Sequence, residues 1–331
     1  MKKNIFNNKK ILIYGIGQRF YGSLFYHFLL PEIIVTAKEV CISDRDRGKG
    51  CNIGLPFIEK GIIIKQFEII VITSDRFFNE IKDDLISNYC IDEDRILSIE
   101  EVERVFIREK LLVDLFSGLS GVEIGGPSAL FESNIYEEVN ACDGINFSKE
   151  TVWWNDNGLG YIINGDCKGR VIISDAVNLV QINTNQYDFC ISSNILEHIA
   201  NPIKALFEMK RIIKEDGLLL TVVPNKDTCF DHNRVVTSFI HILNDYKLDV
   251  DETDMTHIDE IIQLHDYGMD KGINSREDFI ERAKNNHTNR CLHQHVFDED
   301  LLRNLYRYIG IEVLASGKIY SNWYVIGRKN S

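Results

Sequence analysis

The chain has 331 residues, more than one core ordinarily fills, so two domains are expected. Its 44% hydrophobic and 26% charged residues are those of an ordinary globular protein. The formal net charge of −13, with no run rich in lysine or arginine, argues against nucleic acid or an anionic membrane surface as the main partner. No apolar run approaches the roughly 20 residues of a membrane span. The start, "MKKNIFNNKK", reads as no signal peptide. Eight scattered cysteines without a Cys-x-x-Cys pair fit free thiols in a reducing cytoplasm.

In chain order, residues 9–14 read as an apolar strand that ends at Gly15. A helical segment to about Leu30 follows, then strands "EVCISD" and "EIIVITSD", and a helix over "FFNEIKDDLISNYC". Ser98 and Glu101 have the spacing of a capping box, opening a helix that leads out of this first unit. Strands alternating with helices over residues 1–112 predict a small parallel α/β domain.

The pattern restarts in residues 113–331 with strands "GVEIG", "EEVNACD", "GRVIISDA", "YDFCISS" and "GLLLTVVP". Between the last two, Asn201 suits a helix cap, Pro202 the first turn and Gly217 the stop. Glu197 and His198 are expected to begin a helix, with a positioning role. After Pro224 the rhythm lapses until about residue 290. It resumes as a helix, "DEDLLRNLYRYIG", and two strands, "IEVLAS" and "NWYVIG", joined too closely for a parallel crossover.

Each unit has a glycine turn, and the two differ. In "VEIGGPSA" the positions after Gly125 are Gly126, Pro127, Ser128 and Ala129. A dinucleotide turn offers backbone amides to a pyrophosphate, and proline has none to offer. The turn still admits an uncharged or zwitterionic ligand, whose ammonium Glu123 could meet.

These residues resemble the first motif of the class I S-adenosylmethionine-dependent methyltransferases, with Pro127 and Ala129 in place of commoner glycines. "YDFCISSNILEHIANPIKALFEMKRIIKEDGLLLTVVPN" is similar to that family's fourth strand, following helix and fifth strand, and "HQHVFDEDLLRNLYRYIGIEV" to its closing segment. The resemblance implies a seven-stranded Rossmann-like sheet with its last strand antiparallel, and S-adenosylmethionine as cofactor. It places Glu123, Gly125 and Gly126 at the methionine part, and Asp143, read as the end of the second strand, at the ribose hydroxyls. It places Asp175 and Ala176 at the adenine, and Asn194 where sheet, cofactor and substrate meet.

Seven of the nine histidines fall between 232 and 295. The segment of about 225–290 follows the fifth strand, so it should form the acceptor pocket at the carboxyl ends of the strands. Asp231 and His232 are the expected catalytic pair, an imidazole base oriented by a carboxylate. Arg234 and His265 are expected to contact substrate. His232, His241, Asp245, His257, His265 and Asp266 are metal-ligand types, but without tight helical spacing, and no metal is expected.

In "GIGQRFYG" Phe20 occupies the place of a third glycine, and Asp44 ends the next strand, a partial dinucleotide fingerprint. The first unit resembles the Rossmann-like domains carried by sugar-modifying acyltransferases and methyltransferases, and Arg19, Arg45 and Arg47 could meet a diphosphate. Nucleotide-sugar binding, support and homo-oligomerisation are the roles this leaves open. The expected function is cytoplasmic O-methylation of a sugar or glycan precursor of surface-polysaccharide type. The alternatives are a nicotinamide-dependent nucleotide-sugar oxidoreductase using the first unit and a non-catalytic S-adenosylmethionine-binding protein.

Overall fold

A computed structural model describes residues 5–21, 23, 25–44, 53–59, 62–106, 111–270 and 272–330. The chain divides into two units, Met1–Leu111 and Leu112–Ser331. The first is built on strands β1 (Lys10–Tyr14), β2 (Glu39–Ser43), β3 (Ile69–Ile72) and β4 (Ile96–Ser98). They form a parallel sheet in the order β2-β1-β3-β4. Sheet residues Leu12, Tyr14, Ile70 and Ile72 pack against Ile81 and Leu85 of the helix Phe78–Tyr89. The capping box forms as its spacing predicts: the Ser98 amide donates to Glu101 Oε2 at 2.8 Å, and the Glu101 amide to Ser98 Oγ at 3.0 Å.

The glycine turn of this unit is occupied by its own chain. The Gly15 amide donates to the Ser43 carbonyl at 2.9 Å and the Ile16 amide to Asp44 Oδ2 at 2.5 Å. Asp44 therefore braces the turn. Arg45, Arg47 and the side chain of Arg19 lie outside the described residues.

The second unit contains β5 (Ser120–Ile124), β6 (Ala141–Asn146), a hairpin of β7 (Tyr161–Ile163) and β8 (Asp166–Gly169), then β9 (Val171–Ile173), β10 (Tyr187–Ser193), β11 (Ile213–Pro224), β12 (Ile311–Ile319) and β13 (Asn322–Lys329). Seven of them form one sheet in the order β12-β13-β11-β10-β5-β6-β9. β13 runs antiparallel to both neighbours and the remaining contacts are parallel. The central strands are apolar on both faces, as a sheet covered twice requires. Ile203, Leu206 and Met209 of the helix Pro202–Ile212 are fully buried against it.

Three boundaries depart from the sequence expectations. The second strand begins at Ala141, because Ile135–Glu138 is a helical turn whose Ile135 amide donates to Asn134 Oδ1 at 2.6 Å. The helix expected to stop at Gly217 ends at Ile212, because buried Ile213 already pairs with Tyr187 in the sheet. Glu197 and His198 sit in a single 3-10 turn, Leu196–His198; the helix starts at Pro202, with Asn201 accepting the Lys204 amide at 3.1 Å.

The segment after β11 folds as helices Phe239–Lys247, Ile258–Leu264 and Arg276–Lys284. Ile261, Phe279, Ala283 and Leu292 give it a small core of its own. No helix among the described residues is long and apolar enough to cross a membrane.

Candidate active site

A pocket opens at the carboxyl ends of β5, β6, β9 and β10, where an open α/β sheet presents its ligand crevice. Gly125, Asn146, Phe147, Asp175, Ala176 and Ile195 are on its wall, and Trp153, His198 and Arg290 close one side. Gly125 has φ +80°, and a Cβ there would lie 2.1 Å from the Ile195 side chain. Glycine is the residue this position accepts.

The turn is not a phosphate cradle. The Gly125 amide donates to the Ile145 carbonyl at 2.7 Å, Pro127 has no amide hydrogen, and the Ser128 amide donates to Tyr136 Oη at 2.8 Å. Below it, Glu123 is completely buried and receives the hydroxyls of Tyr136 and Tyr161 on Oε2. Its Oε1 has no hydrogen-bond partner among the described residues. Burial raises its pKa, and the hydroxyls of the two tyrosines oppose that rise. A Cβ on Gly126 would come within 2.1 Å of the Glu123 carboxyl, so the turn rests directly on the carboxylate. An acceptor oxygen left over beneath a glycine turn suits the ammonium of S-adenosylmethionine, and the neutral, largely apolar wall suits its adenosine.

Asp143 requires a correction. It lies mid-strand opposite Val122, three residues before the end of β6. Its carboxylate accepts the Arg170 amide at 2.7 Å, the Arg170 guanidinium at 2.9 Å and the Tyr187 hydroxyl at 2.7 Å. Burial alone would raise its pKa, but these donors hold it below the usual carboxylate range. The residue that ends the strand on the pocket wall is Asn146. It donates to the Gly126 carbonyl at 3.2 Å and accepts from the Trp153 indole at 3.3 Å, joining turn to wall. Asn194, at φ 54°, stands exposed at the end of β10, with its amide on the Val222 carbonyl.

The expected pair Asp231–His232 does not form. Asp231 instead accepts His293 Nδ1 at 2.5 Å and the Arg234 guanidinium at 3.0 Å, all three side chains being buried. Burial alone would lower the His293 pKa, yet the Asp231 hydrogen bond and charge raise it. The same pairing outweighs burial at Asp231 and lowers its pKa. His232 turns to Asp266, 2.8 Å away, both partly exposed.

Arg234 is spent inside the protein, on Asp231, Glu260 and the carbonyls of His293 and Gln294, which revises its expected contact with substrate. His265 is likewise a packing residue. Its ring stacks on Phe279 at 4.0 Å, and Nε2 lies 3.2 Å from Asp270 Oδ2.

His293 packs edge-on against His198, with ring centroids 4.6 Å apart, and His198 stacks parallel to the Trp153 indole. His198 Nδ1 donates to the Leu292 carbonyl at 3.0 Å, and burial lowers its pKa to about 3, so the ring is neutral. Beside them Glu197 is buried with neither oxygen hydrogen-bonded among the described residues, and burial lifts its carboxyl to about 7. Arg290 reaches Asp175 at 2.7 Å and Glu252 at 3.1 Å, over the Phe147 ring, and ties the pocket to the 225–290 segment. Sequence reasoning missed Asn146, Tyr161, Trp153, Arg290 and His293. For His293 a signal existed, because 293 and 295 alternate as in a strand and so share one face.

The model of the methyltransferase domain family matches residues 99–316, two thirds of the chain. The chain belongs to that family. The second unit is thus an S-adenosylmethionine-dependent methyltransferase domain, with S-adenosylmethionine as its cofactor. The nicotinamide-dependent alternative finds no support. A curated relative, an uncharacterised protein of Methanocaldococcus jannaschii, is 36% identical over 93 residues, and the match spans 28% of this chain and 37% of that protein. Among solved structures, a putative methyltransferase of Haloferax volcanii in complex with the activator Trm112 is 14% identical at a TM-score of 0.40, covering 78% of this chain and 97% of that one. A possible histamine N-methyltransferase of Thermotoga maritima is 16% identical at 0.36, covering 77% and 97%. Likenesses at this level add nothing to the strand order described above.

Proposed function

We propose that the whole chain methylates a hydroxyl of a sugar or glycan precursor, with the 225–290 segment and Trp153 forming the acceptor side. The observation that carries this is the wall of Trp153 stacked on His198 beside the Asp231-held His293. An exposed aromatic face beside hydrogen-bonding groups suits a ring that is apolar on its faces and polyhydroxylated on its rim.

S-adenosylmethionine supplies an electrophilic methyl group. Glu123, through the oxygen its tyrosines leave free beneath the glycine turn, would hold the ammonium, and Asn146 on the pocket wall would take the ribose position that a carboxylate was expected to fill. An acceptor hydroxyl would release its proton as its oxygen bonds to the methyl carbon and the donor's sulfur leaves as a neutral thioether. His293, fixed by the bond from Nδ1 to Asp231, presents its other ring nitrogen for that proton. Positioning the hydroxyl in line with the methyl accounts for most of the rate. Nucleotide binding by the first unit belongs to the same proposal, although Asp44 would have to leave the Ile16 amide to serve it.

The test incubates the full chain with isotope-labelled S-adenosylmethionine and a panel of nucleotide sugars and glycans. A carbohydrate product heavier by one methylene group is expected. Methyl transfer confined to amines or thiols, or donor binding with no transfer to any acceptor, would remove the proposal.

A further inference from the structure

The second histidine cluster lies away from the pocket wall. His241 and Asp245 are one turn apart on the helix Phe239–Lys247, so both face the same way. His257 precedes the helix Ile258–Leu264, and His295 lies in the run that leads into the helix Glu299–Tyr308. One ring nitrogen from each of His241, His257 and His295 lies within 4.8 Å of the others. His241 Nε2 and His257 Nε2 face each other at 2.9 Å, and Asp245 Oδ2 is 3.3 Å from His241 Nε2.

Two facing imidazole nitrogens can share one proton; they cannot both carry one. Asp245 is more than nine-tenths buried, and its Oδ2 makes no hydrogen bond among the described residues. His295 is almost completely buried, with Nε2 donating to the Ala200 carbonyl at 3.1 Å and Nδ1 without a hydrogen-bond partner among the described residues. Lone pairs pointed at one another with so few protons between them are costly in a protein interior. The surrounding charges are mostly acidic: Glu260, 3.8 Å from His257, and Asp254. Arg234 is the nearby cation, and Asp231 and Glu260 hold it.

We infer that His241, His257, His295 and Asp245 bind a divalent transition-metal ion of the zinc class. Three imidazoles and one carboxylate are a complete tetrahedral donor set. With metal–nitrogen bonds of about 2.0–2.1 Å, neighbouring donors stand about 3.3 Å apart, so on binding the facing pair opens slightly and the more widely spaced donors, within 4.8 Å of one another, draw in. The Ala200 carbonyl on His295 is the outer partner that fixes a ligating ring. All four donors are protein groups, so the ion is structural and pins the 225–290 segment to the run that leads into the helix Glu299–Tyr308. The other histidine group, His198 and His293 with Glu197, has its Nδ1 atoms committed to Leu292 and Asp231 and belongs to the acceptor wall.

The full chain, stripped with a chelator, is titrated with Zn²⁺ against a chromophoric competitor, and its thermal midpoint is followed in parallel. One ion per chain and a raised midpoint are expected, and Co²⁺ should give the intense visible bands of a four-coordinate site. H241Q and H257Q, shown to be folded by circular dichroism, should each bind about 100-fold more weakly or worse. H287Q, at an exposed histidine outside the cluster, should bind as the parent does. Absence of binding by the parent chain would overturn the inference. So would unchanged affinity in H241Q, H257Q and D245N together, which would place the ion elsewhere.

Discussion

His293 and His295 are two residues apart in one extended run, each more than nine-tenths buried, and they answer to different partners. His293 donates a hydrogen bond to a carboxylate and gains basicity, its burial outweighed by Asp231. His295 donates to the Ala200 carbonyl, and burial drives its pKa down to about 3. A carbonyl orients a ring without stabilising its charge, whereas a carboxylate does both. Residue type is the same in the two, and both are buried. The difference in role comes entirely from what long-range folding brings opposite each ring.

The largest effect is expected from removing the partner rather than the ring. D231N keeps the shape of the pair and deletes its charge, and H293Q deletes the proton acceptor. Each should lower kcat by about 10²–10⁴-fold, with donor affinity kept, in a single-turnover assay beside equilibrium binding of S-adenosylmethionine. Turnover at the parent rate in both variants would end the base assignment. E123Q addresses the pocket instead. Losing one charge-assisted bond should weaken donor binding by roughly ten- to 100-fold, measured by calorimetry. Unchanged affinity would leave Glu123 a purely structural acceptor for its two tyrosines. At His295 the expected loss is of stability. H295A strands the buried Ala200 carbonyl, which should cost about 1–3 kcal/mol, read by denaturant unfolding.

The sheet was legible because its signals are local. Alternation of strand and helix, the Ser98–Glu101 and Asn201 caps and the short connection before β13 each follow from neighbours in sequence. The site was legible only where it shares that locality, as at Gly125, Asp175 and Ala176. Asp143 was misplaced because the helical turn at Ile135–Glu138 delays β6, so the strand-end position is Asn146. Tyr161 comes from a hairpin whose two short strands carry little periodic signal. Yet its ring covers Gly144 so closely that a Cβ there would lie 2.1 Å from it. Asp231 was expected to orient a histidine, and the histidine it contacts is 62 residues away in sequence. Sequence adjacency favoured His232, whereas the fold brings up His293.

A third histidine gives the comparison its smallest and most easily measured test. His265 stacks on Phe279, and Asp270 beside it is held by His265, the Gly272 amide and Arg282. Burial would raise the Asp270 pKa, but these donors outweigh it and bring it below the ordinary carboxylate range. A carboxyl depressed in the folded state stabilises above its unfolded pKa of about 3.9, and that stability is lost as pH falls through the folded value. The midpoint of thermal unfolding of the parent chain should therefore fall more steeply than that of D270N as pH drops from about 4 toward 2. Equal slopes would mean that Asp270 titrates as it does unfolded. The 225–290 segment would then owe its order to the Ile261–Phe279 core, with no share from the ionic contacts around His265.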